Sequence, residues 1–263
     1  MVMCSALLIY QDKLHDLLAG KKKAGGDGKP LKVTGKEGTD RGIFVQGLTQ
    51  KPLTEAAHAT KWMQLAEKNR RAKAKELMAG DRQLKRASTV VMYEILQVVD
   101  KGEKGGEKGK GGKGGKAAPK GGAAGGAKDV YYSCTTFVDM AGSTSSPATD
   151  GVKKKEDIAC SKGITALNNC LLAQVKLQNH KPGKGKRAPL VPWNGSNLTK
   201  LLKDKIGGNN LTIMLGALSP AQGQLKDSKN TIELLQISRG LRQPPLEDRA
   251  KNVSRRSEDA PLF

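Results

Sequence analysis

The run Phe137-Val138-Asp139-Met140-Ala141-Gly142-Ser143 holds the most chemically suggestive spacing in the chain. An apolar strand, read from Val130 to Val138, ends on an aspartate, and Ala-Gly-Ser then turns the backbone sharply. A carboxylate fixed at a strand end can hold a Mg²⁺-bound water. The Gly142 N–H can approach a phosphate with no Cβ in the way. Strand-Asp-x-x-Gly also ends ordinary strands, so Asp139 and Gly142 read equally as structural residues.

Three further runs add to it. Fifty residues on stands Val191-Pro192-Trp193-Asn194-Gly195-Ser196-Asn197-Leu198-Thr199-Lys200-Leu201-Leu202-Lys203-Asp204-Lys205-Ile206-Gly207-Gly208-Asn209-Asn210, then an apolar segment from Leu211 to Leu218 and Ser219-Pro220. Near the start is Ile9-Tyr10-Gln11-Asp12-Lys13-Leu14-His15-Asp16-Leu17-Leu18, and near the end Arg249-Ala250-Lys251-Asn252-Val253. Together these resemble the kinesin motor domain. Its patterns read E-I-Y-N-E-K-I-R-D-L-L, D-L-A-G-S-E, V-P-Y-R-x-S-K-L-T-x-L-L-x-D-S-L-G-G-N and R-A-K-N-I. The motifs fall in the family's order, and the resemblance covers residues 4–253.

The departures from the family carry equal information. Kinesins bind ATP with a Walker A loop, GxxxxGK[ST], whose N–H groups cradle the phosphates. No Gly-Lys pair in this chain is followed by Ser or Thr. The first switch of the family, N-x-x-S-S-R-S-H, corresponds to Gly80-Asp81-Arg82-Gln83-Leu84-Lys85-Arg86-Ala87-Ser88, where Arg86 matches the arginine and the serines are missing. Its partner glutamate is replaced by Thr144. The resemblance therefore implies Asp139, Ala141, Gly142 and Arg86 as switch residues. It implies ATP and Mg²⁺ as family cofactors, but none is expected for this chain. No catalytic residue is assigned and no ATP hydrolysis is expected.

Composition points to an acidic partner. The 263 residues carry 46 Lys+Arg against 25 Asp+Glu, a formal charge of +21. Such a charge implies ionic-strength-sensitive association with a polyanion. Tubulin, the family's partner, is acidic. Nucleic acid fits the charge, but aromatics are 3% and no nucleic-acid-binding motif is present, so it ranks as the alternative. By resemblance, the contact residues are Lys153, Lys154, Lys155 and Lys162, Lys181, Lys184, Lys186 and Arg187 in the loop before Val191, and Lys200. Two basic family positions there have become Asn194 and Asn197. A location on cytoplasmic microtubules follows from the same resemblance. Cys4, Cys134, Cys160 and Cys170 form no C-x-x-C pair, which argues for free thiols and no metal. The apolar start has no features of a secretory signal, and no run reaches membrane-spanning length.

The expected fold is α/β: a partial kinesin-like, P-loop NTPase-like mixed sheet flanked by helices and lacking the Walker strand. Strands are read at Ala6–Tyr10, Gly42–Leu48, Thr89–Val99, Val130–Asp139 and Leu211–Leu218, and a helical turn at Asp12–Leu18. Helices are read from Thr54 to Lys68, with Ala59, Trp62, Met63 and Ala66 inward, and from Arg70 to Met78. A further helix spans Glu156–Leu177, with Ile158, Ile164, Leu167, Leu171 and Val175 inward. Leu198–Ile206 and Asn230–Ser238 complete the helices. Residues 101–128 are Lys/Gly/Ala-rich and are expected to be disordered, as is the tail 254–263. In the family the Walker strand lies between the strands matching Val130–Asp139 and Leu211–Leu218. Either those two pair directly, or a second chain completes the sheet, or the sequence is a truncated product.

Overall fold

The computed structural model describes residues 1–20, 30–36, 42–77, 86–100, 128–142, 151–181, 183, 187–207, 210–242 and 254–255. The expectations for residues 101–127, for 143–150 and for most of the tail lie outside them.

Everything is organised around β1 (Val2–Tyr10), a strand apolar at nearly every position. Such a run stays out of water only if both its faces are covered. Cys4, Ala6, Leu8 and Tyr10 enter one buried cluster, and Leu7 and Ile9 enter another. The two residues after β1, Gln11 and Asp12, have φ of 48° and 61°. Two consecutive left-handed residues make the tight reversal of a hairpin. Residues 12–18 are accordingly not a helical turn. They form β2 (Lys13–Asp16), which pairs back on Leu7–Tyr10.

The sheet order is β2-β1-β6-β7-β8, with β5 (Lys51–Pro52) also on β1. β6 is Ala87–Asp100, β7 is Lys128–Asp139 and β8 is Ser254–Arg255. Every described pairing is antiparallel. β6 and β7 pair from Thr89↔Asp139 to Asp100↔Lys128, so Lys128, the last residue of the Lys/Gly-rich stretch, is already strand. A separate hairpin joins β3 (Lys32–Gly35) to β4 (Ile43–Gln46), with Ile43 and Val45 inward as the alternation requires.

On one face lies α1 (Ala56–Leu77), a single helix where two were read. Its inward stripe is Trp62, Leu65, Ala66 and Ala74, and Asn69 Nδ2 donates to the Leu17 carbonyl at 2.8 Å. Met63 falls beside that stripe and is exposed. On the other face are α2 (Gly151–Gln178), α3 (Asn197–Leu202) and α4 (Leu225–Arg239). Leu167, Cys170 and Leu171 of α2 meet Trp193, Leu198, Leu201 and Leu202 there. Ile158 is exposed: it lies two residues from buried Cys160, about 200° round the helix from the core stripe.

Residues 211–218 form no strand. The segment is laid against α4, with Gly216 so close to Thr231 and Leu235 that a Cβ would collide. Leu211, Ile213, Leu215 and Leu218 face outward, Leu215 at 95% exposure. The direct pairing with β7 is therefore not formed. A strand is a cooperative object and needs a hydrogen-bonded neighbour, which apolar sequence alone does not supply.

Two polar groups in this core make testable demands. The Asp16 carboxylate accepts from Leu18 N–H (2.8 Å), Ala19 N–H (3.0 Å) and Thr49 N–H (2.7 Å), tying the end of β2 to the chain before β5. Asp16→Ala orphans all three and is expected to cost about 2–3 kcal/mol, read by urea denaturation. His15 has a buried Nε2 with no partner. Burial first, then Lys73 and Lys13, push its pKa below 6.5, with Glu76 opposing. The unfolded chain thus takes up the proton first, so stability falls as pH drops through 6.5 and holds above it. His15→Gln is expected to flatten that slope in denaturant titrations at stepped pH.

Candidate functional site

The β6–β7 pair delivers the first group of residues to one end of the sheet. Thr89 opposes Asp139, so Arg86, just before β6, stands at the same end as Asp139, Ala141 and Gly142, just after β7. The hydroxyl of buried Ser88 accepts the Ala141 N–H at 2.9 Å, which fixes the turn after Asp139. The Arg86 carbonyl accepts the Cys160 thiol at 3.1 Å and so joins this end to α2.

The sequence reading missed one member. Arg70 of α1 brings Nη2 to 3.7 Å from Asp139 Oδ2 and Nη1 to 3.1 Å from Glu67 Oε2. It stands three residues after Glu67, the spacing of an ordinary surface pair, and nothing in the helix pattern marks it as reaching the sheet. The arginines hold Glu67 below the usual carboxylate range despite the opposing effect of burial, which is the largest single influence. Asp139 itself is 74% exposed, so the Arg70 contact is screened and weak.

Among the described residues, this end is incomplete as a nucleotide site. It offers a strand-end carboxylate and a glycine turn, but the Ala141 N–H is already spent on Ser88. The sequence holds no phosphate cradle of Gly-Lys-Ser/Thr type. The described residues at this end supply no complete cradle for ATP·Mg²⁺.

The second group is built around α2 and α3. Lys153, Lys154 and Lys155 lie in the first turns of α2, and Lys162 is exposed further along it. Lys181 and Arg187 are exposed in the loop after α2, whereas Lys184 and Lys186 lie outside the described residues. Lys200 is half-buried on α3. A single 3-10 turn, Trp193–Gly195, inserts Trp193 into the core ahead of α3. Gly195 permits this, since a Cβ there would stand 3.0 Å from the Ala166 Cβ. Ser196 then caps α3: its hydroxyl accepts the Thr199 N–H at 3.1 Å, and the Thr199 hydroxyl accepts the Ser196 N–H at 2.9 Å. This capping box sets the first turn of a helix only six residues long. The structure thus separates the candidate residues into two groups: the switch-like set at the β6–β7 end, and the basic set on α2, the following loop and α3.

No cluster of His, Cys, Asp or Glu suited to a metal occurs among the described residues. None of the four cysteines is in a disulfide. Burial pushes the Cys170 thiol up to about 11, so it is an inert packing group. No described helix is long and apolar enough to cross a membrane.

Comparison with known proteins decides the family. Residues 1–239 match the kinesin motor domain. The chain belongs to the kinesin motor domain family. Kinesin-like protein KIN-4A of Arabidopsis thaliana is 34% identical over 136 residues, 50% of this chain and 13% of that protein. Kinesin-like protein KIF14 of Mus musculus is 26% identical over 226 residues, 85% of this chain and 12% of that protein. The chain therefore spans about an eighth of the length of these relatives. A solved KIF14 dimer, in its two-heads-bound state with AMP-PNP and in complex with a microtubule, superposes with a TM-score of 0.67 at 23% identity. The match covers 92% of this chain and 58% of that one. The fold is the kinesin motor fold, as the sequence motifs implied.

Proposed function

We propose that this kinesin-family chain binds microtubules through the basic set on α2, the loop after it and α3, and that it does not hydrolyse ATP by itself. The observation carrying the first part is the basic series Lys162, Lys181, Arg187 and Lys200, running along consecutive elements of a kinesin motor fold with a chain charge of +21. Acidic tubulin is the partner such a surface suits, and the location is the microtubule cytoskeleton. The family activity is ATP-driven movement along microtubules. For this chain the eroded switches support a passive binder. Co-sedimentation with taxol-stabilised microtubules, against a DNA-cellulose control, tests the reading. Retention on DNA-cellulose with none on microtubules would favour the nucleic-acid alternative.

The nucleotide half has its own test. Titration with mant-ATP is expected to give no saturable signal, and micromolar affinity would overturn the proposal. The bare apolar side of residues 211–218 and the outer edge of β7 beyond Tyr132 support a further reading, that another polypeptide segment completes the sheet. On that reading the purified monomer gives a broad thermal transition, and a sharp cooperative one argues against it.

A further inference from the structure

Helix α3 is too short to hold its own place, since isolated helices of under a dozen residues are marginal in water. Two carboxylates tie it to separate hairpins. At its start, Asp12 in the β1–β2 turn accepts the Asn197 N–H at 2.6 Å, and Asn197 Nδ2 donates back to the Asp12 carbonyl at 2.6 Å. Just beyond its end, Asp204 Oδ2 accepts the Ile43 N–H at 2.7 Å, at the head of β4, while Oδ1 pairs with Lys205 at 2.8 Å. Asp204 is only 18% exposed. Gly42, at φ +65°, turns the chain into β4 and leaves the space in which Oδ2 sits, where any Cβ would collide. Beneath this bond, Leu31, Val33 and Val45 pack in the same cluster as Leu198, Leu201, Leu202 and Ile206.

We propose that Asp204 is a positioning residue for partner binding: its bond to Ile43 locks α3 and the β3–β4 hairpin into one unit, so that Lys200 meets an acidic polypeptide surface at a fixed place. This rests on the microtubule reading above. An acid amid a basic surface weakens attraction for an acidic partner. A half-buried acid whose two oxygens are both occupied by its own chain is there for geometry instead.

The test exploits that opposition. Asp204→Ala and Asp204→Asn raise the net charge equally, but only the asparagine keeps an oxygen able to accept the Ile43 N–H. Glu233→Gln, at an exposed carboxylate on α4, is the control for charge alone. In microtubule co-sedimentation, Glu233→Gln is expected to bind at least as tightly as the parent, Asp204→Ala about threefold or more weakly, and Asp204→Asn close to the parent. Amide exchange at Ile43–Gln46 is expected to accelerate in Asp204→Ala while Leu167–Leu171 stays protected. Equal binding by the alanine and asparagine variants, or exchange at Ile43 unchanged by Asp204→Ala, overturns the proposal. Should the parent not co-sediment, the partner reading falls on its own. The exchange rates then decide the clamp: acceleration upholds it and no change removes it.

Discussion

Neutralising Lys181, Lys184, Lys186 and Arg187 together is expected to weaken microtubule co-sedimentation by about tenfold or more at low salt, with a smaller difference at high salt. The four charges sit within seven residues on Gly- and Pro-rich backbone, Lys181-Pro-Gly-Lys-Gly-Lys-Arg187. Lys181 and Arg187, at the two ends, are exposed. They are expected to matter more here than in the family pattern because Asn194 and Asn197 occupy positions that are basic there. Attraction between such a segment and glutamate-rich tubulin tails is Coulombic and screened over about 10 Å at ordinary ionic strength. The control is therefore the polymer itself. Microtubules with their acidic tails removed by protease are expected to bind parent and quadruple variant alike. If the parent binds intact and tail-cleaved microtubules with equal affinity, the loop has no such role.

Leu201→Ala is expected to be the most damaging of the single core substitutions. Leu201 is wholly buried, in one cluster with Leu167, Leu171 and Trp193, and it belongs to the helix that carries Lys200. Deleting the Cγ methine and both Cδ methyls from such a site costs about 2–5 kcal/mol. Domains have about 5–15 kcal/mol in all, so this variant is expected to lie near its unfolding threshold at 37 °C. Leu190→Ala removes the same atoms from a residue 91% exposed and is expected to change stability by less than about 0.5 kcal/mol. The two midpoints in urea, measured side by side, check the prediction. Equal midpoints would mean that the α2–α3 cluster is not a packed core.

The elements legible in the sequence were those whose pattern and partner lie close together. β6 and β7 are rich in β-branched and aromatic residues and pair with each other. The α2 stripe repeats at Leu167 and Leu171, and the α3 segment announces itself by motif. Three features escaped. The β2 segment Lys13-Leu-His-Asp16 has no strong strand preference and is a strand because Gln11 and Asp12 adopt left-handed φ, a choice that neither residue type compels. Residues 211–218 carry as much strand propensity as β1, yet have no strand neighbour among the described residues, and pairing is a tertiary fact. Arg70 was hidden because a helix cation reads as solvated until the fold brings a carboxylate from another element within reach. In the candidate site, motif resemblance found the strand-end turn and the basic runs. It had no means of finding Ser88 as the acceptor for Ala141, or Asp204 as the tie to Ile43, since both contacts join residues more than fifty positions apart.

The two-sidedness of β1 has a consequence for how the molecule comes apart. Its even-numbered residues Cys4 to Tyr10 are shared property with α1, while Leu7 and Ile9 belong to the layer of α2, α3 and α4. Neither helical layer can leave without stripping one face of the same strand, and a strand bared on one side loses half the burial that keeps it in the sheet. The two layers are therefore thermodynamically linked through nine residues of backbone. Damage to α1 is felt beneath α3, and a polypeptide that stabilises either layer raises the melting point of both.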